Sequence, residues 1–91
     1  MKVALNPTDI KKIVSVAKSF GATRVILFGS AAENPDKARD LDLAFDGVPG
    51  WKLFELEARL EEELKIPLDI VSLSPANRFT RLIERNGQQL L

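Results

Sequence analysis

The segment Asp40-Leu41-Asp42-Leu43-Ala44-Phe45-Asp46 constrains this chain more than any other stretch. Successive side chains of a β-strand point to opposite faces. The alternation therefore puts Leu41, Leu43 and Phe45 on one face and Asp40, Asp42, Ala44 and Asp46 on the other. The apolar face needs a core to cover it. The acidic face sets Asp40 and Asp42 side by side, where two carboxylates repel. A divalent cation removes that conflict; magnesium takes carboxylate oxygens and keeps waters and phosphate oxygens in its remaining positions. The competing reading is a half-exposed strand carrying ordinary surface acids.

Around this strand the order reads helix, strand, strand, helix, strand, helix. Asn6 caps a first helix opened by Pro7, with Asp9 at the positive end of the dipole. Ile10, Ile13, Val14 and Ala17 recur at helical spacing, Lys18 lies in the last turn and Gly21 just past it. Arg24-Val25-Ile26-Leu27-Phe28 is an apolar, β-branched run of strand length that stops at Gly29-Ser30. Asn34-Pro35-Asp36 is a turn signal, and Asp46 beside Gly47 reads as a turn residue rather than a ligand. Trp51 to Leu64 reads as a helix with an apolar stripe of Leu53, Leu56, Leu60 and Leu64. Glu55 with Arg59 and Glu61 with Lys65 stand at i,i+4 spacing, and Glu61-Glu62-Glu63 reads as a solvated face. Trp51 and Phe54 are expected to pack in the core or at the helix start. Pro67 to Leu73 is a third strand. Ser74 is expected to cap a last helix that Pro75 opens and Gly87 ends. Phe79, Leu82 and Ile83 would form its buried face, and Arg78, Arg81 and Arg85 a solvated one, with a phosphate or partner contact as the competing reading of the arginines.

The 91 residues show no repeat, low-complexity tract or linker, so residues 1–91 are expected to form one α/β (α+β) domain with a small sheet. The chain has no cysteine and no histidine. Disulfides, thiolate metal sites and every histidine-dependent base or triad are excluded, and any chemistry must use carboxylates, hydroxyls, Lys and Arg. Thirteen basic and thirteen acidic side chains cancel, which argues against broad electrostatic capture of nucleic acid but leaves room for a single nucleotide. No apolar run reaches the length of a membrane span and no signal-peptide pattern opens the chain, so the expected location is cytoplasmic, with no membrane partner.

Two further features complement the acidic strand. Asp69 lies among apolar residues in Pro67-Leu68-Asp69-Ile70-Val71, where burial of an acid is costly unless it is paired or binds metal; the competing reading is a surface acid on an edge strand. If the second and third strands are neighbours, Asp69 joins Asp40 and Asp42, and three carboxylates could hold two metal ions roughly 3.5–4 Å apart for in-line phosphoryl displacement. Gly29-Ser30 ends a strand where backbone amides can face an anion. Ser30 adds a hydroxyl that could also cap a short helix behind it.

Leu27-Phe28-Gly29-Ser30, then nine residues, then Asp40-Leu41-Asp42-Leu43, resembles the Gly-Ser…Asp-x-Asp signature of the DNA polymerase beta-like nucleotidyltransferase superfamily. The short chain is similar to minimal nucleotidyltransferases, the antitoxins of HEPN/MNT toxin–antitoxin pairs. Asp69 falls where that family has its third carboxylate, and Leu82-Ile83-Glu84-Arg85-Asn86-Gly87 resembles its last helix. The resemblance implies a small mixed β-sheet flanked by helices. It implies that Gly29 and Ser30 hold the distal phosphates of a nucleoside triphosphate. Asp40 and Asp42 would bind two magnesium ions, and Asp69 would bind the catalytic metal and help to activate the attacking hydroxyl. AMP from ATP would pass to a hydroxyl acceptor, such as a tyrosine of a HEPN toxin. This chain has no tyrosine of its own. It departs from the family where relatives carry Arg after Gly-Ser and Gly soon after: Ala31-Ala32-Glu33-Asn34 stands there. Arg39 replaces the Ser that commonly precedes Asp-x-Asp. Lys37 and Arg39 are the candidates for the missing charge. The alternative is a catalytically weak or inactive subunit that neutralises its partner by contact.

Overall fold

The computed structural model describes residues 5–34 and 40–91; Pro35, Asp36, Lys37 and Arg39 lie outside the described residues. Helix α1 spans Pro7–Ser19, and its start follows the sequence closely. The Asn6 side chain accepts the Asp9 amide while Asp9 reaches back to the Asn6 amide, and Pro7 stands at the first position. Strand β1 is Arg24–Phe28, β2 is Leu41–Asp46 and β3 is Leu68–Ser72. A 3₁₀ turn at Gly50–Lys52 leads into helix α3, Leu53–Leu64.

Two short elements lie outside the helix, strand, strand, helix, strand, helix order. A one-turn helix, α2, covers Ser30–Glu33, with Gly29 and not Ser30 at its cap. A two-residue strand, β4, covers Gln88–Gln89 and pairs with β1. The last long helix, α4, is Arg78–Asn86 and starts later than the Ser74-Pro75 signal suggested. Asn77 and Thr80 exchange the reciprocal bonds of a capping box at 2.9 and 2.8 Å. Thr80 is 2% exposed, so burial anchors that cap, whereas the Ser74 carbonyl and amide are occupied by the Ser72 hydroxyl.

The strands form one mixed sheet in the order β3-β2-β1-β4. Strand β1 is antiparallel to β2 and β4, and β2 is parallel to β3 through the α3 crossover. One face carries the main core, where Leu43, Phe45 and Leu41 pack with Ile13 of α1 and Leu56 and Leu60 of α3. The other face carries a smaller cluster of Ile26, Ala44, Leu73 and Ile83, the last from α4. A side chain on Gly87 would press into Ile26 and the Leu27 carbonyl, so glycine lets the end of α4 lie directly on β1.

Several expectations about side chains are corrected. Trp51 and Phe54 are 73% and 81% exposed rather than core. They sit on the outer side of the 3₁₀ turn and helix start, and the Lys52 ammonium lies 5.1 Å from the Trp51 ring. On α4 only Ile83 and Thr80 are buried; Phe79 and Leu82 are about half exposed. The ion pair on α3 joins Arg59 to Glu63 at 3.8 Å, not to Glu55. Among the described residues no helix is long and apolar enough to cross a membrane.

Candidate active site

The pleat and the register together build a row of side chains across the second sheet face. Parallel pairing sets Asp42 of β2 opposite Asp69 of β3, and antiparallel pairing sets Asp42 opposite Phe28 of β1. The row runs Asp69, Asp42, Phe28. Asp40, just before β2, stands two residues from Asp42 on the same side.

The three carboxylates differ in surroundings. Asp42, in the middle strand, is partly buried; Asp40 and Asp69 are exposed. Of the two readings of Asp69, the strand order favours the edge: β3 is the outer strand, so the acid meets water. The Asp42 carboxyl is raised above the usual range, first by desolvation and then by the negative charges of Asp69 and Asp40. Neither Lys nor Arg lies within ion-pair distance of any of the three among the described residues. Asp46, by contrast, is the last residue of β2 and not part of the turn that follows: it pairs with its register partner Arg24 at 3.1 Å and accepts the Gly47 amide at 3.0 Å.

Gly29 lies against this row. Its φ of 72° is in the left-handed region, and a Cβ there would collide with the Asp42 carboxylate, whose Cγ would be 3.2 Å away. Glycine thus permits the chain to turn from β1 into α2 directly over Asp42. Ser30 and Ala31 open α2, where the first amides of a helix have no intrahelical acceptor. Strand end, free amides and acidic row converge at one corner of the sheet.

The donor chemistry fits a hard divalent cation. The acids are oxygen ligands on neighbouring strands, their charge is uncompensated within the described chain, and the central one is desolvated. No group of three or more acidic side chains among the described residues is drawn together as a finished cage. Repulsion between uncompensated carboxylates is a sufficient physical reason for side chains to splay.

Beside Gly29 lies a cleft of about 140 Å³, lined by Phe28, Glu33, Phe79, Leu82, Asn86 and others. Phe28 and Phe79 meet edge to face, with centroids 5.9 Å apart and planes at 83°. Sequence reasoning missed this cleft because Phe79 and Leu82 read as ordinary core positions. The only available signal was that Phe28 immediately precedes Gly29.

A mixed sheet flanked by helices, with acids on adjacent parallel strands beside a Gly-Ser turn, is the nucleotidyltransferase fold. Solved structures bear this out. A minimal nucleotidyltransferase aligns at 31% identity over 88% of this chain and 87% of its own, with a TM-score of 0.72. A toxin–antitoxin complex with AMP-PNP aligns at 22% identity over 90% and 72%, with a TM-score of 0.76. A complex of tri-AMPylated HEPN toxin with MNT antitoxin from Shewanella oneidensis aligns at 21% identity over 92% and 70%, with a TM-score of 0.71. No family model and no curated protein matches the sequence. By its likeness to the first of these structures, the chain belongs to the minimal nucleotidyltransferases.

Proposed function

We propose that this chain is a magnesium-dependent nucleotidyltransferase that moves AMP from ATP to a hydroxyl of a HEPN-type partner protein, and acts as that partner's antitoxin. The observation that carries the reading is the register of Asp42 with Asp69 beneath Gly29: an uncompensated acidic pair beside free backbone amides. The neighbours that bind AMP-PNP or accompany an AMPylated HEPN toxin support the choice of nucleotide and acceptor.

In this reading Asp40, Asp42 and Asp69 hold two magnesium ions. Bound magnesium would neutralise phosphate charge and polarise the reacting oxygens. The Gly29 turn and the opening amides of α2 hold the distal phosphates, with the Ser30 hydroxyl as a further donor. Asp69, at the open edge of the sheet, is where an acceptor from another molecule can approach, and its carboxylate helps to activate the incoming hydroxyl. The hydroxyl oxygen forms a bond to the α-phosphorus, the bond from that phosphorus to the bridging oxygen breaks, and pyrophosphate leaves. Asp42 holds its place through packing, because β2 is the strand buried between β1 and β3.

A second reading has one observation in its favour. Glu33 lines the cleft beside Gly29, at the place where a cation would serve a triphosphate. A subunit with a degenerate site would neutralise its partner by contact alone. Heat denaturation with and without magnesium plus ATP separates the two readings. The transferase reading expects a rise in Tm for the wild type that Asp42→Asn abolishes, together with loss of transfer in that variant. An unchanged Tm in the wild type favours the contact reading, and full transfer by Asp42→Asn would falsify the metal assignment.

A further inference from the structure

Helix α4 carries Arg78, Arg81 and Arg85 at spacings of three and four, on the side turned away from Thr80 and Ile83, its two buried residues. These arginines line a shallow groove with Leu82 between them. None has a carboxylate partner among the described residues, and the one acid on the helix, Glu84, is engaged by Arg24 at 3.5 Å.

This arrangement works against the helix that bears it. Arg78 is the first helical residue, where the dipole disfavours a cation, and no acid stands in that turn. Arg78 with Arg81 and Arg81 with Arg85 are like-charged pairs at neighbouring positions on the surface, which weaken a helix. Leu82, 48% exposed, adds an uncovered apolar group in the middle. Local costs without an internal gain mark a surface shaped by something outside the chain.

We propose that the outer face of α4, made by Arg78, Arg81, Leu82 and Arg85, docks an acidic surface of the acceptor protein. The inference rests on the transferase-and-partner reading above and extends it by naming where the partner sits. Position supports it: Phe79 of α4 packs on Phe28, which is the register partner of Asp42. Helix α4 thus flanks the Phe28 end of the row, about 10 Å (two strand spacings) from Asp69, close enough for one protein surface to cover both. Composition favours protein over RNA. Arginine is enriched at protein interfaces, and the exposed Leu82 between the arginines is apolar surface that a protein partner can cover. A phosphate backbone offers Leu82 nothing to cover, and the chain's charges sum to zero. The occupant is a protein segment with carboxylates spaced around an apolar side chain.

The test uses the full chain and a HEPN-domain protein from the same genome, with calorimetric titration at low and high salt. The double variant Arg78→Glu plus Arg81→Glu should bind that protein about tenfold more weakly or worse. Wild-type affinity should fall with salt, and the variant's should respond less. Acids at 78 and 81 suit the helix dipole and give position 81 an opposite charge to Arg85, while repelling each other and Glu84, so the variant's Tm should stay close to the wild type's, which excludes misfolding as the cause. Its magnesium–ATP thermal shift should match the wild type. That shift tests the nucleotide site separately: its absence in both proteins, with docking still dependent on the arginines, removes the transferase reading and leaves the surface. The surface is overturned if the wild type does not bind the HEPN-domain protein, or if the variant binds it equally well. It is also overturned if the variant loses affinity for a labelled single-stranded RNA while keeping its affinity for the protein.

Discussion

The two faces of the sheet do different work. The face under α1 and α3 is closed by Ile13, Leu56, Leu60, Leu43 and Phe45, none of them measurably exposed. The face under α4 has the smaller apolar cluster, Ile26, Ala44, Leu73 and Ile83, and it also carries acids, a glycine turn and half-exposed aromatics. A chain of this size has one large core available, and here it lies entirely on one side of the sheet. The opposite side is left free to hold unfavourable arrangements: a desolvated Asp42 among like charges, a left-handed Gly29, a run of arginines. Strand β2 serves both sides at once, with Leu43 and Phe45 below and Asp42 above.

That division can be broken in a graded way. The largest expected effect is Phe45→Ala, which removes a fully buried ring and should cost about 3–5 kcal/mol, a large part of the stability of a domain this small. Denaturant unfolding measures it. A loss no larger than that of a surface substitution would mean that the closed face does not hold the fold.

Gly29→Ala comes next. The new Cβ meets the Asp42 carboxylate at a left-handed backbone position, so transfer should fall to background while stability drops by roughly 1 kcal/mol. Activity assays beside urea melts read both quantities. A parallel loss of the two would place Gly29 in the framework and not in the site.

The smallest effect sharpens the contrast by its sign. Asp42 holds a raised carboxyl because it is desolvated and faces Asp69 and Asp40. In the metal-free protein the unfolded chain releases this proton at lower pH than the folded one. Stability from this group therefore falls as pH rises from the usual carboxylate value to the raised one, and stays at the lower level above it. Asp42→Asn should flatten that part of the pH profile and raise the metal-free Tm at neutral pH. A lower Tm for the variant at neutral pH would show that the carboxylate is held by interactions that outweigh its desolvation.

The parts of the fold legible in the sequence are those set by local chemistry. Asn6, Pro7 and Asp9 mark the start of α1, and β1 ends where Phe28 meets Gly29. The parts that were not legible depend on what lies across the sheet. Asp46 reads as a turn residue, yet it closes β2 opposite Arg24, and the turn begins at Gly47. Asp69 allows an acid in a buried strand or a surface acid on an edge strand, and only the strand order, with β3 at the edge, decides between them. Trp51, Phe54, Phe79 and Leu82 read as core because residue type reports hydrophobicity and not which face of an element is covered. Ser74-Pro75 and Asn77 are both acceptable helix openings. The choice fell to Asn77 because Thr80 could be buried three residues later. For the candidate site, the pairing of Asp42 with Asp69 was expected on the condition that their strands meet, and they do. The Phe28–Phe79 cleft was out of reach because its two sides come from opposite ends of the chain.

The parallel pairing of β2 with β3 also governs when the site comes into existence. Two parallel neighbours cannot be joined by a tight turn; here the chain must first travel out, form α3 and return before Asp69 meets Asp42. The antiparallel partners β1 and β2 can meet with much less chain between them. During synthesis, therefore, Gly29, Ser30 and Asp42 emerge well before their last partner. Under the proposed function, nucleotide capture would report that the crossover has closed, and a nascent or nicked chain ending before β3 would lack the Asp69 side of the site however well β1 and β2 have paired.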